Sequence, residues 1–248
     1  MKKLNYSQKR QIVLSAIAVI TLIIVVLGCV LLIYFIYGQA LFSAKSIQLK
    51  KAEEYAELTS TTQKNGVVFV GDSIFELYKL DKYYKGKDYI NRGISSNKSA
   101  DVLARLQSNV IDLEPNMVII HVGTNDIGHF VSDEDYLYNM SQIIDNIQTQ
   151  LPECKILIDS IYPTRRLNNY NSINLTKTRD NKKIRNVNEK LKNLCVVKNV
   201  KYINTHNQLL NGEELHRDYT IDGLHLNDLG YKVASNEITK EINQLLID

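Results

Sequence analysis

The apolar run Val67-Val68-Phe69-Val70 passes directly into Gly71-Asp72-Ser73. A run without polar positions suits a strand buried on both faces, and the glycine that closes it allows a sharp turn at the sheet edge. Further strands are predicted at Tyr89–Asn91, Met117–Val122, Lys155–Ser160 and Tyr202–Asn204. Between them lie helical patterns at Lys98–Asn109, Asp133–Gln150, about Leu175–Val196, and Asn227–Leu246. Asn227 is a suitable N-cap for the last helix, with Leu229, Val233, Ile238, Ile242 and Leu245 as its expected inner face. Short apolar strands alternating with helices predict an α/β fold, a five-stranded parallel sheet covered on both faces.

Open sheets of this kind bind ligands outside the carboxyl ends of their strands. Ser73 follows the first strand, Gly93 the second and Asn125 the third; Asp222 and His225 come in the loop after the fifth. The expected topology therefore gathers residues scattered along the sequence at one edge. A serine hydroxyl needs a neighbouring base to become a nucleophile. Among the five histidines, His225 stands in an Asp-x-x-His arrangement in the loop after the fifth strand, where Asp222 can hold the imidazole through its other nitrogen. Ser73 is thus the candidate nucleophile, His225 the base and Asp222 its orienting acid. Taken alone, the pair also reads as a helix cap beside an ordinary loop histidine. Backbone amides of Ser73 and Gly93, with the side-chain amide of Asn125, are the candidate oxyanion donors. Gly123-Thr124-Asn125-Asp126 by itself also suits a plain turn. Asp72 is expected to hold the turn or cap the next helix, and His121 to be a core histidine. Tyr162, Arg165 and Arg166 follow the fourth strand at the same edge and are expected to line a substrate cleft, while the two arginines read equally as an exposed basic loop.

The N-terminal segment carries a separate message. Ile12 to Tyr37 contains 26 residues and no charge. As a helix it would span roughly 39 Å, enough to cross a bilayer. Lys2, Lys3, Lys9 and Arg10 precede it, while Tyr34, Phe35 and Tyr37 lie at its far end. That asymmetry predicts a single-pass membrane anchor with a cytoplasmic N-terminus and an extracellular domain. A cleaved signal peptide and a lipoprotein site at Val26-Leu27-Gly28-Cys29 are the alternative readings. The expected organisation is a tail over 1–11, a transmembrane helix over 12–37, a stalk over 38–65 and a catalytic domain over 66–248.

The formal charge of +3 misleads, because four of the 30 basic residues precede the span while all 27 acidic ones follow it. The outer part is slightly negative, which argues against a nucleic-acid partner. Cys154 and Cys195 have no ligand-like spacing for a metal and are expected either to pair as a disulfide or to be small buried hydrophobes. Neither a metal nor another cofactor is expected. Gly-x-Ser-x-Gly, His-Glu-x-x-His and phosphate-binding or dinucleotide-binding glycine motifs are all missing.

Ser73 in Gly-Asp-Ser, Gly93 in Asn-Arg-Gly-Ile, Asn125 in Gly-Thr-Asn-Asp and His225 in Asp-Gly-Leu-His-Leu together resemble the four blocks of the SGNH hydrolase (GDSL esterase/lipase) superfamily. The wording is closest to the bacterial branch similar to platelet-activating-factor acetylhydrolase subunits, which includes carbohydrate esterases. The resemblance implies a flavodoxin-like three-layer α/β/α sandwich and a Ser-His-Asp esterase mechanism. Related sequences often continue the second block as Gly-Ile-Gly-Gly, where this chain has Gly93-Ile94-Ser95-Ser96. The expected activity is hydrolysis of small acyl esters, O-acetyl groups on an extracellular glycan or cell-wall polymer. An O-acetyltransferase using the same acyl-enzyme, a lipid-directed esterase or lysophospholipase, and a non-catalytic binding module are the alternatives.

Overall fold

The computed structural model describes residues 5–85, 88–168 and 175–247. The chain divides into two compact units between Leu49 and Lys50. The first is one continuous apolar helix, part of Tyr6–Thr59, long and apolar enough to cross a membrane. Its large side chains, among them Ile20, Leu27 and Ile33, are exposed.

The second unit is built on five parallel strands: β1 (Val67–Gly71), β2 (Tyr89–Gly93), β3 (Met117–His121), β4 (Lys155–Asp159) and β5 (Lys201–Ile203). Their order is β2-β1-β3-β4-β5, with Gly71 level with Gly93 on one side and His121 on the other. Side-chain alternation splits the central strands between two cores. Val68, Val70, Val118, Ile120, Ile156 and Ile158 face one, packed against Leu106, Ile143, Ile147, Ile184 and Leu191. Phe69, Met117, Ile119 and Leu157 face the other, packed against Phe75, Tyr78, Ala234, Ile238 and Ile242. The result is the three-layer sandwich expected. The strand order switches its progression between β1 and β3, all strands staying parallel, and that switch point opens the crevice where such sheets place ligands.

Helix boundaries follow local chemistry. Ser132 caps Asp133–Gln150 by accepting from the Asp135 amide at 3.0 Å, and three acidic residues occupy the first turn. Asp180 caps Asn181–Val197, so that helix starts later than its apolar pattern suggested. Asn227 caps the final helix, Asp228–Ile247, accepting from the Leu229 and Gly230 amides. Its inner face differs from the expected one. Leu229 is 56% exposed, while Tyr231 and Ala234 are buried in its place.

The helix predicted over Lys98–Asn109 breaks at Arg105 into Ser99–Ala104 and Leu106–Asn109. The cause is the buried guanidinium of Arg105, which donates to Asn97 Oδ1 at 2.8 Å, to Gly71 O at 3.0 Å and to Asn109 Oδ1. The stalk expected over 38–65 also differs. From Lys50 onward it belongs to the second unit, and it stays helical to Thr59. Lys51 pairs with Glu76, Tyr55 Oη donates to Gly93 O at 3.3 Å, and Thr59 Oγ1 donates to Ser108 O at 2.9 Å. Cys154 and Cys195 are both unbonded and pack against the same core cluster. Cys195 is buried, as the second of the two sequence readings has it, while Cys154 is half-buried.

Candidate active site

Ser73 is the first residue of a single-turn helix, Ser73–Glu76, that starts as β1 ends. Asp72 caps this turn, its Oδ1 accepting from the Ile74 amide at 2.9 Å. Asp72 is fully buried, and burial raises its carboxyl to about 7 against the opposing pull of that amide. Its second oxygen has no partner among the described residues, as suits a protonated carboxyl. The structure gives Asp72 the capping part expected of it.

His225 arrives from a distant loop. After β5 the chain forms a short helix, Thr205–Gln208, and an unexpected hairpin pairing Leu210–Asn211 with Glu214–Leu215. The loop that follows is pinned at several points. Thr220 Oγ1 donates to His225 O and accepts from the Gly223 amide, both at 2.8 Å, while the Arg165 amide donates to Gly223 O. Gly223 takes φ 92°, a conformation glycine adopts without strain. This loop brings His225 Nε2 to 3.0 Å from Ser73 Oγ, and Asp222 Oδ2 to 2.7 Å from His225 Nδ1. Both distances fall in the range a proton relay needs. Asp222 Oδ1 also accepts from the Leu224 and His225 amides. Partial burial pushes the Asp222 carboxyl up, but these hydrogen bonds outweigh it and hold the group at about 2. It is therefore a carboxylate at any physiological pH.

The expected oxyanion donors are placed less simply. Asn125 is buried at the start of the helix Thr124–Gly128. One Nδ2 hydrogen goes to Asn97 O at 3.0 Å, leaving the other available, and Oδ1 accepts from Arg179 at 3.0 Å. Arg179 also donates to Thr124 O, and it lies flat against Gly128, where a Cβ would come within 2.7 Å of the guanidinium. Burial lowers the Arg179 pKa, with Asp72 opposing. Sequence reasoning missed Arg179, because it stands outside every motif and is recruited only by the fold.

Gly93, the second candidate donor, has a partner of its own. Its amide already donates to Asn91 Oδ1 at 2.8 Å. What position 93 requires is the missing side chain: a Cβ there would lie 2.2 Å from Glu76 N and 2.6 Å from Phe75 C. Gly93 thus lets β2 press against the backbone of the serine-bearing turn, which Asn91 Nδ2 also braces through Phe75 O and Tyr78 O. Gly93→Ala keeps the amide but forces two backbones apart, so we expect a loss of about 1–3 kcal/mol and a lower melting temperature by circular dichroism. An unchanged melt would mean that the amide alone matters at this position.

Tyr162 also departs from expectation. It is 2% exposed, its hydroxyl donates to Asp159 Oδ2 at 2.6 Å, and its ring packs 4.2 Å from that of His121. It belongs to the core, because its ring fills the space beneath the sheet edge and its hydroxyl satisfies a buried carboxyl. His121 is a core residue as expected, and burial lowers its pKa to about 3. Arg165 is half-buried, paired with Glu214 at 3.1 Å, and borders a polar cavity.

Several known proteins are similar to this chain. Residues 60–233 match the profile of the family described as GDSL-like Lipase/Acylhydrolase. A GDSL esterase/lipase of Oryza sativa subsp. japonica is 24% identical over 178 residues, or 66% of this chain and 68% of that one. A Streptococcus pneumonia protein provisionally named a platelet activating factor superposes with a TM-score of 0.74 at 28% identity, covering 78% of this chain and 92% of that one. A catalytic mutant of an acetylxylan esterase from Geobacillus stearothermophilus shares the fold, with a TM-score of 0.58 at 16% identity over 73% of this chain and 95% of that one.

Proposed function

Since this chain belongs to the GDSL-like lipase/acylhydrolase family and is an esterase, we propose that it hydrolyses small acyl esters through Ser73, His225 and Asp222. The observation that carries this reading is the continuous path from Ser73 Oγ through His225 to Asp222, at 3.0 and 2.7 Å. Ser73 Oγ bonds to the acyl carbon as its proton passes to His225 Nε2, and Asp222 stabilises the imidazolium. The same proton then goes to the departing alcohol, leaving an acyl-serine. A water molecule, deprotonated by His225, attacks that ester; the acid leaves and Ser73 regains its hydrogen.

The oxyanion formed in each step needs donors. The Ser73 amide, at the start of its turn, and the second Nδ2 hydrogen of Asn125 are two. The third comes from the loop after β2, where amides are already committed at Gly93, at Ile94 to Gly71 O, at Ser95 to Glu76 and at Asn97 to Ile94 O. Ser96 remains, and its φ of 63° is one that glycine favours. Related sequences often carry glycine at this place. Arg179 serves as a positioning residue: by holding Asn125 Oδ1 it fixes which end of the amide faces the reaction.

Ser73 has only 8% of its surface exposed, and serine side chains stand at 95 and 96, where sequences of the family often have glycine. Both features narrow the acyl side and favour acetyl over long chains. The Geobacillus neighbour, named an acetylxylan esterase, supports an acetylated glycan as the substrate class. The apolar helix, with basic residues before it, supports anchoring in the cell membrane with the catalytic unit outside.

The test is a series of p-nitrophenyl esters from acetate to palmitate, assayed with the full chain in detergent, beside a fluorophosphonate probe. We expect labelling at Ser73 and acetate turnover at least about tenfold above palmitate in kcat/KM. Preference for palmitate would replace the acetyl reading with a lipid-directed one, and absence of labelling would remove the serine mechanism.

A further inference from the structure

A cavity of about 500 Å³ adjoins the loop that carries His225. Arg165, Arg166, Leu167, Asn168, Arg217 and Thr220 line it, three guanidinium groups and no carboxylate. Arg165 is balanced by Glu214 at 3.1 Å. Arg166 and Arg217 are exposed, and neither has an ion-pair partner among the described residues. This excess is local, because the sequence beyond the apolar span is slightly negative in total.

The cavity shares parts with the catalytic loop. Thr220, on its wall, donates to His225 O at 2.8 Å, and the Arg165 amide donates to Gly223 O at 2.8 Å. A group bound there would sit beside the residues that position the base. Guanidinium forks match carboxylate and phosphate oxygens in pairs, and a concave setting excludes part of the competing water. An acetyl group has nothing to offer such a site, so its ligand belongs to the alcohol half of the ester.

We propose that this cavity is an anion subsite in which Arg166 and Arg217 bind a carboxylate or phosphate on the alcohol portion of the substrate. Resting on the esterase reading above, this narrows the substrate to an O-acylated anionic polymer. Neutral acetylated glycans bind without this contact and are poorer substrates.

Acetate release by the full chain in detergent is measured on chemically acetylated dextran, acetylated polygalacturonate and acetylated phosphate-bearing dextran, with p-nitrophenyl acetate alongside. At low ionic strength we expect kcat/KM on at least one charged polymer to exceed that on neutral dextran by about tenfold. The better charged polymer shows whether carboxylate or phosphate is the ligand. Raising salt to about 0.3 M should erase most of that preference. The double variant Arg166→Glu, Arg217→Glu should reduce the charged-to-neutral ratio by about tenfold or reverse it. Turnover of p-nitrophenyl acetate with equal rates on all three polymers, insensitive to salt and to the double variant, overturns the subsite and leaves the esterase reading intact. Failure on every ester, p-nitrophenyl acetate included, overturns the esterase reading itself.

Discussion

Ser73→Ala lowers kcat/KM toward p-nitrophenyl acetate by at least about 10⁴-fold while leaving the fold unchanged. Among the described residues the hydroxyl makes one hydrogen bond, to His225 at 3.0 Å. The turn that carries it is held from elsewhere, by the Asp72 cap and by Asn91 on the Phe75 and Tyr78 carbonyls. Alanine is also a good helix residue, so the melting temperature should stay close to that of the parent. Residual turnover comes from Asn125 and the backbone donors, which still polarise the ester. Steady-state kinetics and thermal melts on the same preparation check both halves. A variant keeping a tenth or more of the activity would place the nucleophile elsewhere.

Asp222→Asn is the second large effect, about 10⁴-fold in kcat near neutral pH. The wild-type carboxylate accepts from His225 Nδ1, which keeps the proton on that nitrogen and leaves Nε2 free to take one from Ser73. Asparagine can keep accepting the Leu224 and His225 amides through one oxygen, but then turns an NH₂ toward Nδ1. The imidazole must then carry its hydrogen on Nε2, facing the serine, where it cannot act as a base. The Asp222 pKa also sets a stability window. Because the folded carboxyl is held at about 2, below its ordinary value near 4, its stabilising contribution is present above about pH 4 and is lost as pH falls toward 2. The asparagine variant should lack this acid-limb component. Equal kcat for both proteins would show that Asp222 does not orient the base.

The strands, and the motifs that follow them at one sheet edge, were legible from sequence for a common reason. A strand buried on both faces must be apolar at every position, as at Val67–Val70 and Met117–Ile120, and its end is marked by the turn that follows. The helix Asp133–Gln150 was equally plain, because its cap, acidic first turn and apolar stripe all agree. Harder positions were those whose role depends on a partner far along the chain. Gly93 reads as a donor, and nothing near it in sequence announces that the Phe75–Glu76 backbone is pressed against it. Arg105 reads as an ordinary helix residue, yet its side chain turns inward to Gly71 and Asn97 and breaks the helix. Tyr162 has the strand-end position of a cleft residue, but Asp159 draws its hydroxyl inward. Arg179 gave no local signal at all. Its use arises only when Asn125, 54 residues away in sequence, presents a carbonyl oxygen to it.

The last turns of the long N-terminal helix decide what a cut in this region would do to the second unit. Tyr55 holds the carbonyl of Gly93, its ring lies 4.8 Å from the Arg92 guanidinium, and Lys51 grips Glu76 at the end of the nucleophile's turn. A protease cutting just before Lys50 would leave the whole second unit, braces included, in one piece. One cutting between Ser60 and Asn65 would strip away those braces and release a weakened body, so the scissile position alone decides between liberation and inactivation.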